Sequence, residues 1–353
     1  MKIRLMVLMA VFFVNAQDEF FQPTKSIGGY GELHYNNNVQ GDVDATKKLD
    51  FHRFIIYYSA SFTEAWSFFS EMELEHNFVN DGEGELELEQ AYVEYRIDKG
   101  GFKAGVILPT VGLLNEYHEP SLFLSVERPE YSKYVIPTTW FANGISANYK
   151  AMDGLKLRIA LLEDLNGEGV GAGIRSARGK GYKTTAYDWT KNFSVEYTGL
   201  PGLRLGGSYT MNKAPINDNP DSTANVTLVE LHAKYVAHNI YAIIEYGNIN
   251  YNGTNYTPSY NSSGGYYLDL GYNIATVLNL KGKLMPWFRF SDYNRGIDDD
   301  GVLPSKHYTI TRFGLTFWPI DKVVFKIDFG TKETEDADID DIYQLNFGVG
   351  YNF

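Results

Sequence analysis

A side-chain period of two, sustained over segments longer than ordinary strands, constrains this chain more than any other feature. It is plainest in Tyr343-Gln344-Leu345-Asn346-Phe347-Gly348-Val349-Gly350-Tyr351-Asn352-Phe353, where odd positions are Tyr, Leu, Phe or Val and even positions are Gln, Asn or Gly. Successive side chains of a strand face opposite ways, so one face is apolar and the other small or polar. Leu155, Leu157, Ile159 and Leu161 alternate with Lys156, Arg158 and Ala160 in the same way. So do Val229, Leu231 and Ala233 with Glu230, His232 and Lys234, and Phe313, Leu315 and Phe317 with Arg312, Gly314 and Thr316.

Turn signals bound sixteen such segments: 28–39, 49–63, 66–79, 85–98, 101–112, 141–151, 154–164, 189–198, 202–212, 224–236, 239–251, 264–277, 279–292, 307–318, 322–333 and 341–353. Globular strands average about 5–6 residues, whereas a tilted membrane strand needs roughly 9–11. The linkers alternate between short turns, such as Asp98-Lys99-Gly100 and Met152-Asp153-Gly154, and longer polar loops at 40–48, 80–84, 113–140, 165–188, 213–223, 252–263, 293–306 and 334–340. Short turns at one end and long loops at the other describe an all-β, transmembrane antiparallel barrel of about sixteen strands, with its chain ends on the short-turn, periplasmic side. Trp66, Phe68, Trp189, Phe317, Trp318, Tyr351 and Phe353 sit near strand ends, where a membrane barrel carries its aromatic girdles. A terminal Phe on the outward face is also a familiar ending of outer-membrane proteins.

The start of the chain agrees with that location. Lys2 and Arg4 precede the apolar run Leu5–Val14, and Val14-Asn15-Ala16 follows. This is the layout of a secretory signal over 1–16, leaving a barrel over 17–353 in the bacterial outer membrane, with membrane lipid and lipopolysaccharide as its surroundings. No later segment is long and apolar enough for a transmembrane helix, so a membrane-embedded chain must be closed β-structure. The absence of cysteine removes disulfide scaffolds, thiolate metal sites and cysteine nucleophiles. A formal charge of −13 argues against a nucleic-acid partner. No H-E-x-x-H, G-x-S-x-G or P-loop is present, and Gly167, Gly169, Gly171 and Gly173 lack the third glycine of a dinucleotide fingerprint. No catalytic residue, metal ligand or cofactor is assigned.

Several strings resemble one family, the phosphate-selective porins O and P, and in particular its Bacteroidetes-like members. They are Gly29-Tyr30-Gly31-Glu32-Leu33-His34, Leu49-Asp50-Phe51-His52-Arg53-Phe54, Glu71-Met72-Glu73-Leu74-Glu75-His76, Leu88-Glu89-Gln90-Ala91-Tyr92, His118-Glu119-Pro120, Val126-Glu127-Arg128-Pro129 and Ile136-Pro137-Thr138-Thr139-Trp140. The resemblance is strong over about 28–145 and architectural beyond. It implies a sixteen-stranded homotrimeric channel for small anions, narrowed by an infolded third long loop. The family's arginine ladder has no motif here that would place it.

A barrel of sixteen strands keeps a water-filled lumen that the protein must restrict. The loop at 113–140 is the longest linker, and long loops of this kind are usually functional. Folded inward, it would present Glu116, His118, Glu119, Glu127, Arg128 and Lys133 as a constriction, stiffened by Pro120, Pro129 and Pro137. Selectivity follows the charge that lines such a pore. Parity points Lys103, Lys156, Arg158, Arg204, Lys234, Lys281, Lys283, Arg289, Arg312 and Lys326 inward, together with Glu73, Glu196, Glu230, Glu245, Asp269 and Asp328. The inward faces therefore lean basic although the chain is acidic. Arg175, Arg178, Lys180 and Lys183 form a basic cluster in the next long loop, where they would raise the local anion concentration at the mouth. Glu85, Glu87 and Glu89 break the parity of Val93 and Tyr95, which predicts a bulge near Gln90 or an extension past the bilayer. Asp298–Asp300 and Glu333–Asp341 read as solubilising loop acids, with divalent-cation bridging as the alternative. The reading is a porin for small hydrophilic solutes; the competing classes are an outer-membrane barrel enzyme and a closed structural or adhesin barrel.

Overall fold

Alternation of apolar and polar side chains resolves into sixteen long antiparallel strands in this computed structural model, which describes residues 21–80, 84–171, 173–182 and 184–353. The leader expected at 1–16 lies outside those residues. The strands are β1 (Lys25–Gln40), β2 (Thr46–Ser61), β3 (Trp66–Glu75), β4 (Leu86–Ile97), β5 (Gly100–Ile107), β6 (Ala142–Met152), β7 (Leu155–Leu162) and β8 (Thr190–Tyr197). They continue as β9 (Leu203–Ile216), β10 (Asn219–Ala237), β11 (Ile240–Thr254), β12 (Ser262–Tyr272), β13 (Lys283–Asp298), β14 (His307–Ile320), β15 (Val323–Thr334) and β16 (Ile342–Asn352). A two-residue strand, Gly301–Val302, folds back on the end of β13. Each strand pairs with its chain neighbour, and β1 pairs with β16 from Tyr30↔Asn352 to Gln40↔Ile342, which closes the barrel. Closure leaves no sheet edge, as a spanning β-structure requires.

The apolar parity faces outward. Ile145, Ile159, Phe193, Tyr209, Leu231, Ile244, Phe313, Phe329 and Phe347 are all exposed, on strands all around the barrel. Such a belt would aggregate in water and is stable in lipid. The chain is thus an outer-membrane barrel.

Strand ends depart from expectation where backbone chemistry intervenes. β3 stops at Glu75, because His76 and Asn77 take left-handed conformations (φ 56° and 66°). β5 stops at Ile107, before Pro109 and the left-handed Gly112, so the third long loop is longer than expected and spans 108–141. β12 stops at Tyr272 and a helical turn fills 275–279. The loop expected at 213–223 is a two-residue turn instead: Asn217 and Asp218 both have φ above +50°, the signature of a type I′ hairpin. The bulge predicted near Gln90 is present. Glu71 faces Gln90 and Met72 faces Leu88, so Glu89 is the extra residue and both Glu89 and Gln90 point inward. β2 carries a second bulge at His52, between the Glu32↔Arg53 and Leu33↔Phe51 pairs.

The apolar residues are not all lipid-facing. Inward Val226, Leu228, Tyr241, Ile243, Ile249, Tyr267, Trp287, Ile310 and Val324 pack with Val111, Leu124, Tyr131, Ile136 and Trp140 of the 108–141 loop and with Leu165, Val170 and Ile174 of the next. The lumen beside β9–β15 therefore holds a true apolar core.

Candidate functional site: the lumen and its constriction loop

The 108–141 loop leaves the wall between β5 and β6 yet bonds to strands on the far side. The backbone N–H of Leu113 donates to Glu245 on β11 (3.0 Å), and that of Val126 donates to Asp328 on β15 (2.7 Å). Trp318 donates to the Ser121 carbonyl (3.3 Å) and Thr316 to that of Leu124 (2.6 Å). All these partners are inward-facing, so the loop crosses the lumen, as its length and prolines led us to expect.

Inward charges divide into those that hold the loop and those that face open space. Arg289 makes a two-pronged contact with Asp269 (2.6 Å to each oxygen) and donates to Ser125 Oγ (2.6 Å). Lys326 donates to the Ser125 carbonyl (2.8 Å), and Arg312 contacts Asp328 (3.1 Å) and Gln344. Lys234 lies over the Tyr241 ring and Arg204 over that of Tyr117. Lys283 sits at the short-turn rim, exposed and paired with Asp321 (2.9 Å), and Lys281 lies in the turn before β13. These two correct the parity reading, because inward parity at a strand tip is not the lumen.

Two cavities lie beside the loop among the described residues. The lower, about 630 Å³, lies against β4–β8 and reaches the short-turn rim. Lys103, Lys156, Arg158 and Glu116 line it, with Arg96, Lys99 and Lys150 as further bases and Glu94, Asp98 and Glu196 as further acids. The upper, about 270 Å³, lies toward the long loops. Arg128, Lys133, Arg175, Arg289, Arg312 and Lys332 line it against Glu75, Glu127 and Glu130. Bases outnumber acids in both.

Of the predicted constriction residues, Glu116 faces the lower cavity, 3.9 Å from Arg158, and Arg128 and Lys133 face the upper. Glu127 also borders the upper cavity while bonding to the wall, and Glu119 and His118 are wall anchors, which corrects the assignment of those two. Glu119 accepts from Asn352 (2.6 Å) and Tyr57 (3.3 Å), and Glu127 meets His34 (2.9 Å) and Asn36 (3.0 Å). Burial pushes the Glu127 carboxyl up, but His34, with His52 and Asn36, outweighs it and holds the group well below the usual carboxylate range. His118 is buried, 3.2 Å from Glu89 and 3.7 Å from Glu71. Burial disfavours its charge, yet Glu89 and Glu71 bring it up to about 10.

The basic cluster of the following loop disperses. Arg178 turns inward and donates to the Thr138 and Thr139 carbonyls (2.8 and 2.6 Å), locking the two loops together. Lys180 pairs with Glu85 (2.5 Å) and Glu87. Arg175 alone of these faces a cavity, and Lys183 lies outside the described residues. Sequence reasoning missed the network of Glu32, Arg53, Glu71 and Glu89 behind the loop. Arg53 Nε is 2.5 Å from Glu32, and Nη2 donates to the His118 carbonyl (3.0 Å). The parity break in β4 was its visible trace. Among the described residues, the acids of 298–300 and 333–341 form no metal-ligand grouping; Asp50–His52–His76, Glu71–Glu89–His118 and Glu73–Glu87–Glu89 do.

No family model matches the chain. It is 30% identical over 349 residues to an uncharacterized protein of Aquifex aeolicus (strain VF5), covering 90% of this chain and 78% of that protein. Among solved structures it is similar to OmpF of Salmonella typhi in complex with daunomycin (TM-score 0.67, 16% identity, 93% of this chain and 97% of that one). It is also similar to an anion-selective porin from Comamonas acidovorans (TM-score 0.66, 10% identity, 94% and 100%). A third is the trimer form of OmpT of Vibrio cholerae (TM-score 0.58, 13% identity, 94% and 100%). At these identities the likeness is one of fold.

Proposed function

The chain belongs to one family with the Aquifex aeolicus protein, and from its porin-like barrel we propose that it is a passive outer-membrane channel for small hydrophilic solutes with a preference for anions. The observation that carries this reading is the basic lining of the space left beside the constriction loop. Lys103, Lys156 and Arg158 project from β5 and β7 into the lower cavity, which is open to the rim. The net charge of −13 resides largely in loops and in pairs, so it does not set the sign inside. The resemblance over 28–145 supports phosphate among the anions, and the trimeric OmpT form supports a homotrimer. Lipid and lipopolysaccharide would surround the apolar belt, and residues 1–16 would be the export signal.

Reconstitution of the full-length barrel in a planar bilayer under a salt gradient tests the reading. Conductance steps in threes with an anion-signed reversal potential are expected. The double variant Lys156→Glu/Arg158→Glu should lower the anion-to-cation permeability ratio at least severalfold or invert it. A cation-signed potential in the wild type removes the anion preference, and an absence of conductance favours the closed structural barrel.

A further inference from the structure

Behind the constriction loop, three side chains from three elements converge without their charges being balanced. Glu71 comes from β3, Glu89 from the β4 bulge and His118 from the loop, and their exposures are 2%, 0% and 3%. One donor atom from each lies within 4.8 Å of the other two. Oε1 of Glu71 and Oε1 of Glu89 have no hydrogen-bond partner. An unpartnered buried carboxylate oxygen is costly, and Glu71 Oε1 meets the same imidazole nitrogen as Glu89 Oε2, an arrangement of two carboxylates that calls for a cation.

The imidazole is oriented to meet them. His118 Nδ1 lies 3.0 Å from the Asn115 carbonyl, which can only accept, so Nδ1 carries the hydrogen. Nε2 is then the nitrogen that faces Glu89 Oε2 at 3.2 Å and Glu71 Oε1 at 3.7 Å. Without a metal, Nε2 holds a proton against the two carboxylates, and a divalent ion that displaced that proton would meet three ligand atoms already in place. A metal-bound histidine holds this arrangement, with its second nitrogen donating to a backbone carbonyl. The adjacent guanidinium does not pair with these oxygens. Arg53 is engaged with Glu32 at 2.5 Å and reaches Glu73 only at 3.7 Å, while Glu73 Oε1 is also unpartnered. Gln90 donates to Glu71 Oε2 (2.5 Å) and is neutral.

We propose that Glu71, Glu89 and His118 form a site for a divalent transition-metal ion of the Zn²⁺ class, which clasps the constriction loop to the wall at β3 and β4. One imidazole nitrogen with carboxylate oxygens suits zinc or its first-row neighbours, whereas Mg²⁺ and Ca²⁺ favour all-oxygen sets of six or more. The bulge gives the site its geometry, since without the extra residue Glu89 and Gln90 would face opposite sides of the sheet. The inference stands apart from the channel reading, because metal uptake is read without conductance.

The test uses the full-length barrel folded in detergent, stripped with a chelator and titrated by calorimetry with ZnCl₂ and with MgCl₂. The expected result is one tightly bound Zn²⁺ per chain that survives His76→Ala, which removes the exposed Asp50–His52–His76 grouping. Glu71→Gln and His118→Ala should each weaken that binding at least about tenfold. Co²⁺ in place of Zn²⁺ should show the visible bands of low coordination. No Zn²⁺ uptake, uptake lost with His76→Ala, or uptake unchanged by Glu71→Gln overturns the proposal, the last two meaning a surface histidine site or adventitious metal. Folding of each variant is followed by heat-modifiable gel migration. If Glu71→Gln or His118→Ala fails to fold, the cobalt spectrum of the folded His76→Ala barrel decides: bands retained support the buried site, and bands lost overturn it.

Discussion

Arg289 is 2% exposed, and all three nitrogens of its guanidinium donate, Nε and Nη2 to Asp269 and Nη1 to Ser125. Truncating one partner of such a pair leaves the other charge buried and alone. Arg289→Ala should therefore destabilise the barrel by about 3–5 kcal/mol. Denaturant titration in lipid vesicles reads this, and a loss below about 1 kcal/mol would mean that water reaches Asp269 freely. Arg158 shows the other condition of a lumen cation. It is 3.4 Å from Glu196 and 3.9 Å from Glu116 but borders open space, so its field acts on solute. Parity placed both arginines inward. It could not tell them apart, because the difference lies in a loop arriving from elsewhere in the chain.

At the level of elements, the same sheet rules explain the agreements and the errors. The Asn217–Asp218 turn joins β9 and β10 with two left-handed residues, which Asn and Asp tolerate because their short side chains bond locally. The polar run around it reads as a loop, yet the strands on both sides simply continue beyond the belt. Asp218→Val should cost about 1–2 kcal/mol, since a β-branched side chain clashes at positive φ. Vesicle unfolding checks this, and an unchanged midpoint would mean that the turn relaxes to another type. The bulges at His52 and Glu89 act differently. Each flips the parity of its strand, so that adjacent residues both face the lumen, and each sits against the constriction loop.

For the whole molecule, the constriction loop is built into the interior as a core element. It packs apolar residues and makes polar contacts against β9–β15, adds polar contacts to β1–β4, and the larger of the two spaces beside it runs along β4–β8. Glu127 is one of its polar attachments. Its folded carboxyl is depressed, so its contribution is complete above the ordinary carboxylate range and is lost as pH falls through the lowered value. Channel current should thus be steady from neutral pH down to about 4.3 and grow noisy below it, as the Glu127–His34 contact weakens. Glu127→Gln should already be noisy at neutral pH. Recordings across that range decide, and a quiet Glu127→Gln channel would assign the attachment elsewhere.

The sixteen strands, their outward faces, the closed membrane barrel and the infolding of the longest loop follow from local information. Period, strand length and turn residues act within a few positions along the chain, and the bilayer imposes closure on whatever strands result. Which lumen charges are free and which are occupied followed from nothing local. His118 meets Glu71 and Glu89, and Ser125 meets Arg289 and Lys326, across large separations in sequence. Alternation assigns each side chain a face but no partner. Only the tertiary path of one loop across the lumen makes the pairs, and by making them it leaves Lys103, Lys156 and Arg158 beside the open space.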